Sequence, residues 1–252
     1  MIEFVYFWPF ALALGLVIGS FLNVCIYRIP AGLSVAKGHS MCPACAARLR
    51  AADLVPVFSY LVLRGKCRHC GAPVSRFYIL VELLTGGLFL LSFYVFGISL
   101  QTLVAWIAIS ALVTATFIDF NTLEIPDGVS IVLAVAGALS FFLPNPVWWD
   151  RLLGAAAAAG PLLLIHIFSK GRAMGMGDVK LMAAAGLMLG IALSFFALFA
   201  AVIFGAVLSL FLLAFKFKKG KDEIPFVPML SFGIIFSMFL GGPIVSWYLS
   251  FL

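Results

Sequence analysis

Two aspartates carry the chemistry available to this chain. Asp119 stands in "TFIDFNTLEIPD" at the end of one long apolar run, and Asp178 in "GMGDVKL" at the start of another. A carboxylate at the edge of hydrocarbon is costly and rare without a task. Two such groups brought together cannot both be charged cheaply, so they share one proton. That arrangement suits peptide hydrolysis by general acid–base catalysis. The ionised member draws a proton from water, while the protonated one polarises the scissile carbonyl and then helps the amine leave. Asp178 opens a helix, where free N–H groups and the dipole favour negative charge. Asp119 ends one, between Ile118 and Phe120, where dipole and desolvation favour the protonated form. The sequence therefore expects Asp178 as base and Asp119 as proton holder. Gly175, Gly177 and Lys180 support the loop that carries Asp178. The two glycines allow backbone angles and close approaches denied to other residues, leaving room for an extended substrate strand. Read blandly, glycine and aspartate only cap and break a helix. The second carboxylate is what lifts the motif above that reading.

A second constellation is made of cysteines. "CPAC" at 42–45 and "CRHCG" at 67–71 place two Cys-x-x-Cys pairs 21 residues apart. Each pair closes a tight turn around a cation, and Cys42, Cys45, Cys67 and Cys70 fill all four places of a tetrahedral structural zinc site. The loop around them is too small to bury much apolar area, so the metal supplies its folding energy. Two disulfides are the alternative, disfavoured where the cytoplasm keeps thiols reduced. His69, inside the second turn, is read as a bystander, and Cys25 as a packing residue.

The elements that position these groups are membrane helices. Of 252 residues, 64% are hydrophobic and 10% charged, with a mean hydropathy of +1.19. Soluble domains are roughly half apolar and about a quarter charged, so the chain is expected to be an all-α polytopic membrane protein. About eight transmembrane helices are predicted, at 4–26, 77–97, 101–118, 129–144, 151–168, 179–193, 195–215 and 226–251, with the division of the stretch from Leu181 to Phe215 set near Ser194. Three domains follow: the first helix (1–26), a small cytoplasmic zinc-ribbon-like insertion (27–76) and the bundle with the paired aspartates (77–252). Eight lysines and arginines lie in the first loop, from Arg28 to Arg76. Lys170, Arg172 and Lys180 flank the GMGD segment, and Lys216, Lys218, Lys219 and Lys221 follow the seventh helix. Alternating spans put these loops, and both aspartates, on one face, which the positive-inside rule makes cytoplasmic. Only Arg151 falls elsewhere. The first basic residue follows the first apolar run, so that run is expected to be a retained span with its N-terminus outside, not a signal peptide. The basic residues lack the interleaved aromatics of a nucleic-acid groove, so anionic lipid is the expected partner and nucleic acid is not.

Other ionisable groups get plainer readings. Glu3, Asp53, Asp150, Asp222 and Glu223 are expected in solvent. Glu82 lies inside the second span and needs a partner, either Arg76 or a hydrogen bond between helices. His166 is read as a helix–helix hydrogen bond. "IPFVP" at 224–228 opens the last helix with prolines at tolerated positions and is a candidate wall of the substrate path. A transporter would also hold intramembrane carboxylates, but both acids lie at one face and no internal repeat is evident. A zinc-loop adaptor without catalysis would leave the aspartates unused.

Together "GSFLNVCIYRIP" (19–30), "CPAC…DLVPVFSYLVLRGKCRHC" (42–70), "VELLTG" (81–86), "FIDFNTLEIPD" (117–127) and "GMGDVKLMAAAG" (175–186) resemble the bacterial type IV prepilin leader peptidases, in order over most of the chain and more weakly after about residue 195. The resemblance implies a GxGD aspartic protease in the bacterial inner membrane, active at the cytoplasmic side. It implies removal of the short basic leader of type IV prepilins and pseudopilins, with no cofactor for proteolysis. It further implies N-methylation of the new N-terminal residue from S-adenosylmethionine. Asp119 and Asp178 fall on the family's catalytic positions, and the four cysteines on its zinc positions. Departures are "RFY" at 76–78 for Arg-Tyr-Pro, Glu124 in place of an apolar residue and Ala173 in place of an acidic one. No glycine-rich strand-to-helix cofactor loop is present, so methylation rests on the resemblance alone. A substrate helix in the bilayer is expected to pack on small residues such as the Ala183–Gly186 run.

Overall fold

The protein is described from a computed structural model covering residues 2–144, 147–215 and 224–251, with the side chains of 2–5 left aside. Every regular element among these is helical. The chain divides into two compact units, one ending at Thr102 and one beginning at Leu103. The basic run Lys216–Lys221, Asp222 and Glu223 fall outside the described residues.

In the first unit α1 (Ile2–Arg28) packs along α3 (Arg76–Phe96). Gly15 and Gly19, four apart, let the two backbones touch. A Cβ at Gly15 would lie 2.8 Å from the Gly86 Cα, and one at Gly19 would lie 2.8 Å from the Glu82 Cα. Small residues at this spacing are how apolar helices gain close packing where hydrophobic burial offers nothing over lipid. Between the helices runs the cysteine loop, with a 3₁₀ turn at Ala51–Leu54 and the short helix α2 (Phe58–Val62). Arg28, at the end of α1, donates to the carbonyls of Ser34, Lys37 and His39 and gathers the start of the loop. Among the described residues, buried Glu82 forms no ion pair with Arg76 or any other cation. Its Oε2 accepts the N–H of Val57 at 2.8 Å. Val57 sits at φ 63°, a strained conformation for a β-branched residue that this bond helps to hold.

The second unit holds the rest of α4 (Leu100–Thr122), then α5 (Asp127–Leu139), α6 (Trp148–Ser169), α7 (Met176–Leu189), α8 (Ile191–Ala214), α9 (Val227–Phe236) and α10 (Gly242–Leu249). A π-helical turn at Ser237–Gly241 joins the last two into one apolar stretch. Eight apolar helical segments thus answer the eight expected. Six are long and apolar enough to cross a membrane, Asp127–Phe142 is a shorter apolar helix, and α7 has 14 residues. The break between α7 and α8 falls at Gly190, φ 79°, not near Ser194. Two adjacent side chains of α6 fix that break. Asp150 accepts the N–H of Ile191 at 3.2 Å, and Arg151 donates to the carbonyl of Met188 at 2.6 Å. An acid thus meets the start of α8 and a cation the end of α7, the arrangement helix dipoles favour. Solvent exposure had been expected to explain Asp150, and Arg151 had no role. Gly186 and Gly154 interlock α7 with α6, so the Ala183–Gly186 run is occupied in internal packing. α4 is the most buried span, with Ala108, Ile109, Leu112, Ala115 and Ile118 inaccessible, and Thr116 donates to Ser231 of α9 at 2.9 Å.

Candidate active site and metal centre

Asp119 lies in the last turn of α4, which runs to Thr122, farther than the apolar run alone suggested. The helix stops where Leu123 turns left-handed at φ 55°, its N–H still bonded to the Asp119 carbonyl. The following "EIPD" folds back, with Pro126 fixing the approach to α5. This turn carries Ile125 and Asp127 onto the start of α7. A Cβ at Gly177 would lie 2.9 Å from the Ile125 Cβ, and Lys180 Nζ meets Asp127 Oδ1 at 2.7 Å. The two acidic motifs, separated by some fifty residues of sequence, are therefore side by side.

Asp119 is buried, 5% exposed, and its Oδ2 accepts the N–H of Val227, the first residue of α9, at 3.0 Å. Asp178 is half-buried in the first turn of α7, outside all six candidate spans. Burial, and then the negative charge of Asp119, push its carboxyl up to about 6. Asp178 thus senses Asp119. Gly175, the N-cap of α7, would place a Cβ 3.2 Å from Asp178 Oδ2, so its lack of a side chain leaves the carboxylate room. Neither Gly175 nor Gly177 has a positive φ; the space is what matters, and at Gly177 Ile125 occupies it. His166 Nδ1 pairs with the Met174 carbonyl at 2.8 Å, tying the end of α6 to the segment just ahead of Asp178. The sequence reading missed the Val227 donor. Its one signal was "PFVP", where Phe226 and Val227 bring N–H groups between two prolines that have none.

The four cysteines meet in the first unit. Their sulfurs all lie within 4.8 Å of one another, with Cys42 and Cys70 at 3.9 Å, and all are free thiols. A tetrahedron with metal–sulfur bonds of about 2.3 Å has sulfur–sulfur edges of ~3.8 Å. The cluster fits zinc. Its two halves are built alike: Ala46 N–H bonds the Cys42 carbonyl and Gly71 N–H bonds the Cys67 carbonyl, both residues being left-handed at φ 56° and 71°. Backbone N–H groups of Cys45 and Ala44 draw the Cys42 thiol down to about 7. The Ala47 N–H lowers Cys45, but desolvation and then hydrogen bonding with the other three cysteines outweigh it and the thiol rises to about 11. Sulfurs this close cannot all ionise without a cation among them. Asp53, expected in solvent, instead has a side chain only 3% exposed; it takes Arg68 at 2.7 Å and joins the 3₁₀ turn to the second knuckle.

These features define a multi-pass helical membrane protein with two neighbouring acidic motifs and a four-cysteine cluster that could hold a metal ion. The chain belongs to the type IV leader peptidase family. The model of that family matches residues 106–210, and the bacterial Peptidase A24 N-terminal domain matches residues 13–96. The prepilin leader peptidase/N-methyltransferase of Bacillus subtilis is 34% identical over 93% of this chain and 95% of its own. That of Legionella pneumophila is 32% identical over 98% and 96%, and that of Neisseria gonorrhoeae 38% over 73% and 74%. No solved structure matches the chain.

Proposed function

We propose that this protein is a membrane-embedded aspartic endopeptidase that removes the short basic leader of type IV prepilins and pseudopilins. The observation that carries the reading is the meeting of the two acidic motifs, with Asp178 raised by burial and then by the charge of Asp119. The pair works with one shared proton. The sequence assigned that proton to Asp119 from helix dipoles. The Asp119 side chain already accepts a hydrogen bond from the Val227 N–H, whereas burial, and then the charge of Asp119, push Asp178 up to about 6. Asp178 is therefore the proton holder before attack. The ionised Asp119 draws a proton from water as it adds to the scissile carbonyl, and Asp178 polarises that carbonyl's oxygen. The amine then leaves with the proton the pair has gained.

The site faces the cytoplasm and the protein lies in the bacterial inner membrane, a reading supported by the cation distribution. Anionic lipid is a partner for the basic first loop. Cys42, Cys45, Cys67 and Cys70 hold a structural zinc whose contribution is to fold that loop. N-methylation of the new N-terminus, with S-adenosylmethionine as donor, is proposed on the family's names. The apolar hollow at Arg76, Phe77, Leu80 and Leu83 offers no carboxylate for a ribose and does not fit a nucleoside, so no residue is assigned to that step.

The test is to incubate purified protein in detergent with a prepilin and record the intact mass of the product. Loss of the leader is expected, followed by a gain of one methyl group. Asp119→Asn and Asp178→Asn each abolish cleavage yet leave the zinc content unchanged. Cleavage surviving either substitution overturns the assignment.

A further inference from the structure

The stretch "LVPVFSYLV" (54–62) lies in the cysteine loop but has the composition of a membrane segment. Leu54, Val55, Phe58, Leu61 and Val62 are 40–77% exposed. Elsewhere between residues 29 and 75, among the described residues, Leu33 and Met41 alone are large, apolar and exposed. Phe58, Leu61 and Val62 stand at i, i+3 and i+4 of α2 and so share one face. Tyr60 is turned to the protein: a Cβ at Gly65 would lie 2.9 Å from its hydroxyl, so the ring covers the turn into the second knuckle. We propose that the face of Phe58, Leu61 and Val62 is sunk among the acyl chains of the leaflet where α1 ends and α3 begins, so that α2 moors the four-cysteine knuckle to the membrane surface. The inference sharpens the lipid reading above and is independent of the protease reading.

Depth is the first argument. Arg28 closes the α1 span and Arg76 opens the α3 span, so the two cations mark the headgroup level. The N–H of Val57, the residue just before α2, is bonded to Glu82. Glu82 lies six residues beyond Arg76, which is ~9 Å along the helix. Amphipathic segments lying in a membrane interface sink their apolar face by about 5–10 Å. The chain therefore enters α2 at the depth such a segment occupies, with its apolar face uncovered.

Charge selects the same occupant. Residues 28–76 hold eight lysines and arginines against one acid, Asp53, which is already paired with Arg68. Arg50 precedes the apolar stretch, Arg64 and Lys66 follow it, and all three are exposed. Long cationic side chains on both sides of a sunken segment reach back to lipid phosphate. A soluble partner would have to follow Val57 below the surface, where acyl chains already are. The mooring is also joined firmly to the knuckle. Arg64 and Gly65, left-handed at φ 52° and 67°, turn the chain straight back, and the Val74 N–H closes on the Gly65 carbonyl.

The test uses the full chain in lipid nanodiscs, which leave both faces open to reagents. Phosphatidylglycerol with a diazirine on an acyl chain is expected to label residues 54–62 of the unaltered protein, as peptide mass mapping reads. The same lipid with the diazirine on its headgroup is expected to label the segments around Arg50, Arg64 and Lys66. Leu61→Asp combined with Val62→Asp frees α2. The acyl label leaves 54–62, and trypsin cuts after Arg64 faster by roughly tenfold or more, the factor one buried apolar side chain supplies. Zinc content stays at the wild-type level, which separates release from collapse of the knuckle. Ala31→Asp, an added charge on exposed loop outside that face, keeps both the label and the wild-type cutting rate. Headgroup labelling without acyl labelling of the unaltered protein overturns the insertion while surface lipid contact stands. A benzophenone side chain at position 58 that captures protein instead of lipid overturns it too. Labelling by neither lipid overturns the lipid reading itself.

Discussion

Replacing Asp178 with asparagine removes catalysis but should make the protein more stable, in a pH-dependent way. Burial and the facing charge of Asp119 raise the Asp178 carboxyl from 3.8 to about 6. That rise corresponds to a penalty of about 3 kcal/mol on the ionised folded state. Solvent reaching the half-buried carboxylate screens part of it, leaving ~1–2 kcal/mol. For an acid whose pKa is higher folded than unfolded, the unfolded chain ionises first. The penalty is absent below pH 3.8, grows between pH 3.8 and about 6, and is constant above. Asp178→Asn is therefore expected to melt about 3–6 °C above wild type at pH 8 and level with it near pH 4. Such a gain is common when a strained catalytic group is removed.

The assay is thermal unfolding in one detergent, at one heating rate, for wild type, Asp119→Asn, Asp178→Asn and the double variant at both pH values. Each single change relieves the same repulsion, so the double variant gains less than the sum by about 0.5–3 kcal/mol. Strict additivity, or an Asp178→Asn gain as large at pH 4 as at pH 8, would show that the two carboxylates do not sense each other and would refute the shared proton.

Four further outcomes are expected. The kcat/KM of cleavage falls on the alkaline side with a midpoint near 6, where the pair loses its proton; a pH–rate profile flat from 5 to 8 contradicts this. Elemental analysis finds one zinc per chain, and a strong chelator opens the loop between Cys45 and Cys67 to protease, since zinc binding in such knuckles is worth roughly 10–16 kcal/mol. Ala46→Gly stabilises the metal-free loop by about 0.5–1 kcal/mol and Gly71→Ala destabilises it, because both positions are left-handed; proteolysis rates on chelated protein read the difference. Gly177→Ala drives a Cβ into Ile125, costing about 1–3 kcal/mol of overpacking and lowering cleavage; adding Ile125→Ala restores part of both, as melting and product mass will show.

Much of this architecture is legible in the sequence because its causes are local. Long apolar runs name the helices, since a bilayer demands length and hydropathy from each one alone. The two Cys-x-x-Cys pairs name the metal knuckle, since each half closes its turn within six residues. The pairing of Asp119 with Asp178 was legible only as topology. What brings them together is Ile125 on Gly177 and Asp127 on Lys180, contacts that sequence separation hides. Glu82 was recognised as needing a partner, but no pattern of side chains could point to a backbone N–H at Val57. The Gly190 break was misplaced for a similar reason. Its positive φ is stabilised by Asp150 and Arg151 on another helix, residues that look like an ordinary exposed pair.

The same logic bears on the part of the chain beyond the matched family region. The matched family region ends at residue 210, before α9, and the sequence motifs weaken earlier still. Yet α9 supplies the one hydrogen bond resolved on the Asp119 side chain. A backbone donor can come from any residue except proline. The neighbouring prolines at 225 and 228 have no N–H, so Phe226 and Val227 carry the two donors between them, and Val227 is the one that meets Asp119. A catalytic pair must keep its chemistry and is read in single letters. A donor that acts through its backbone leaves no such letter, since any residue but proline can supply it.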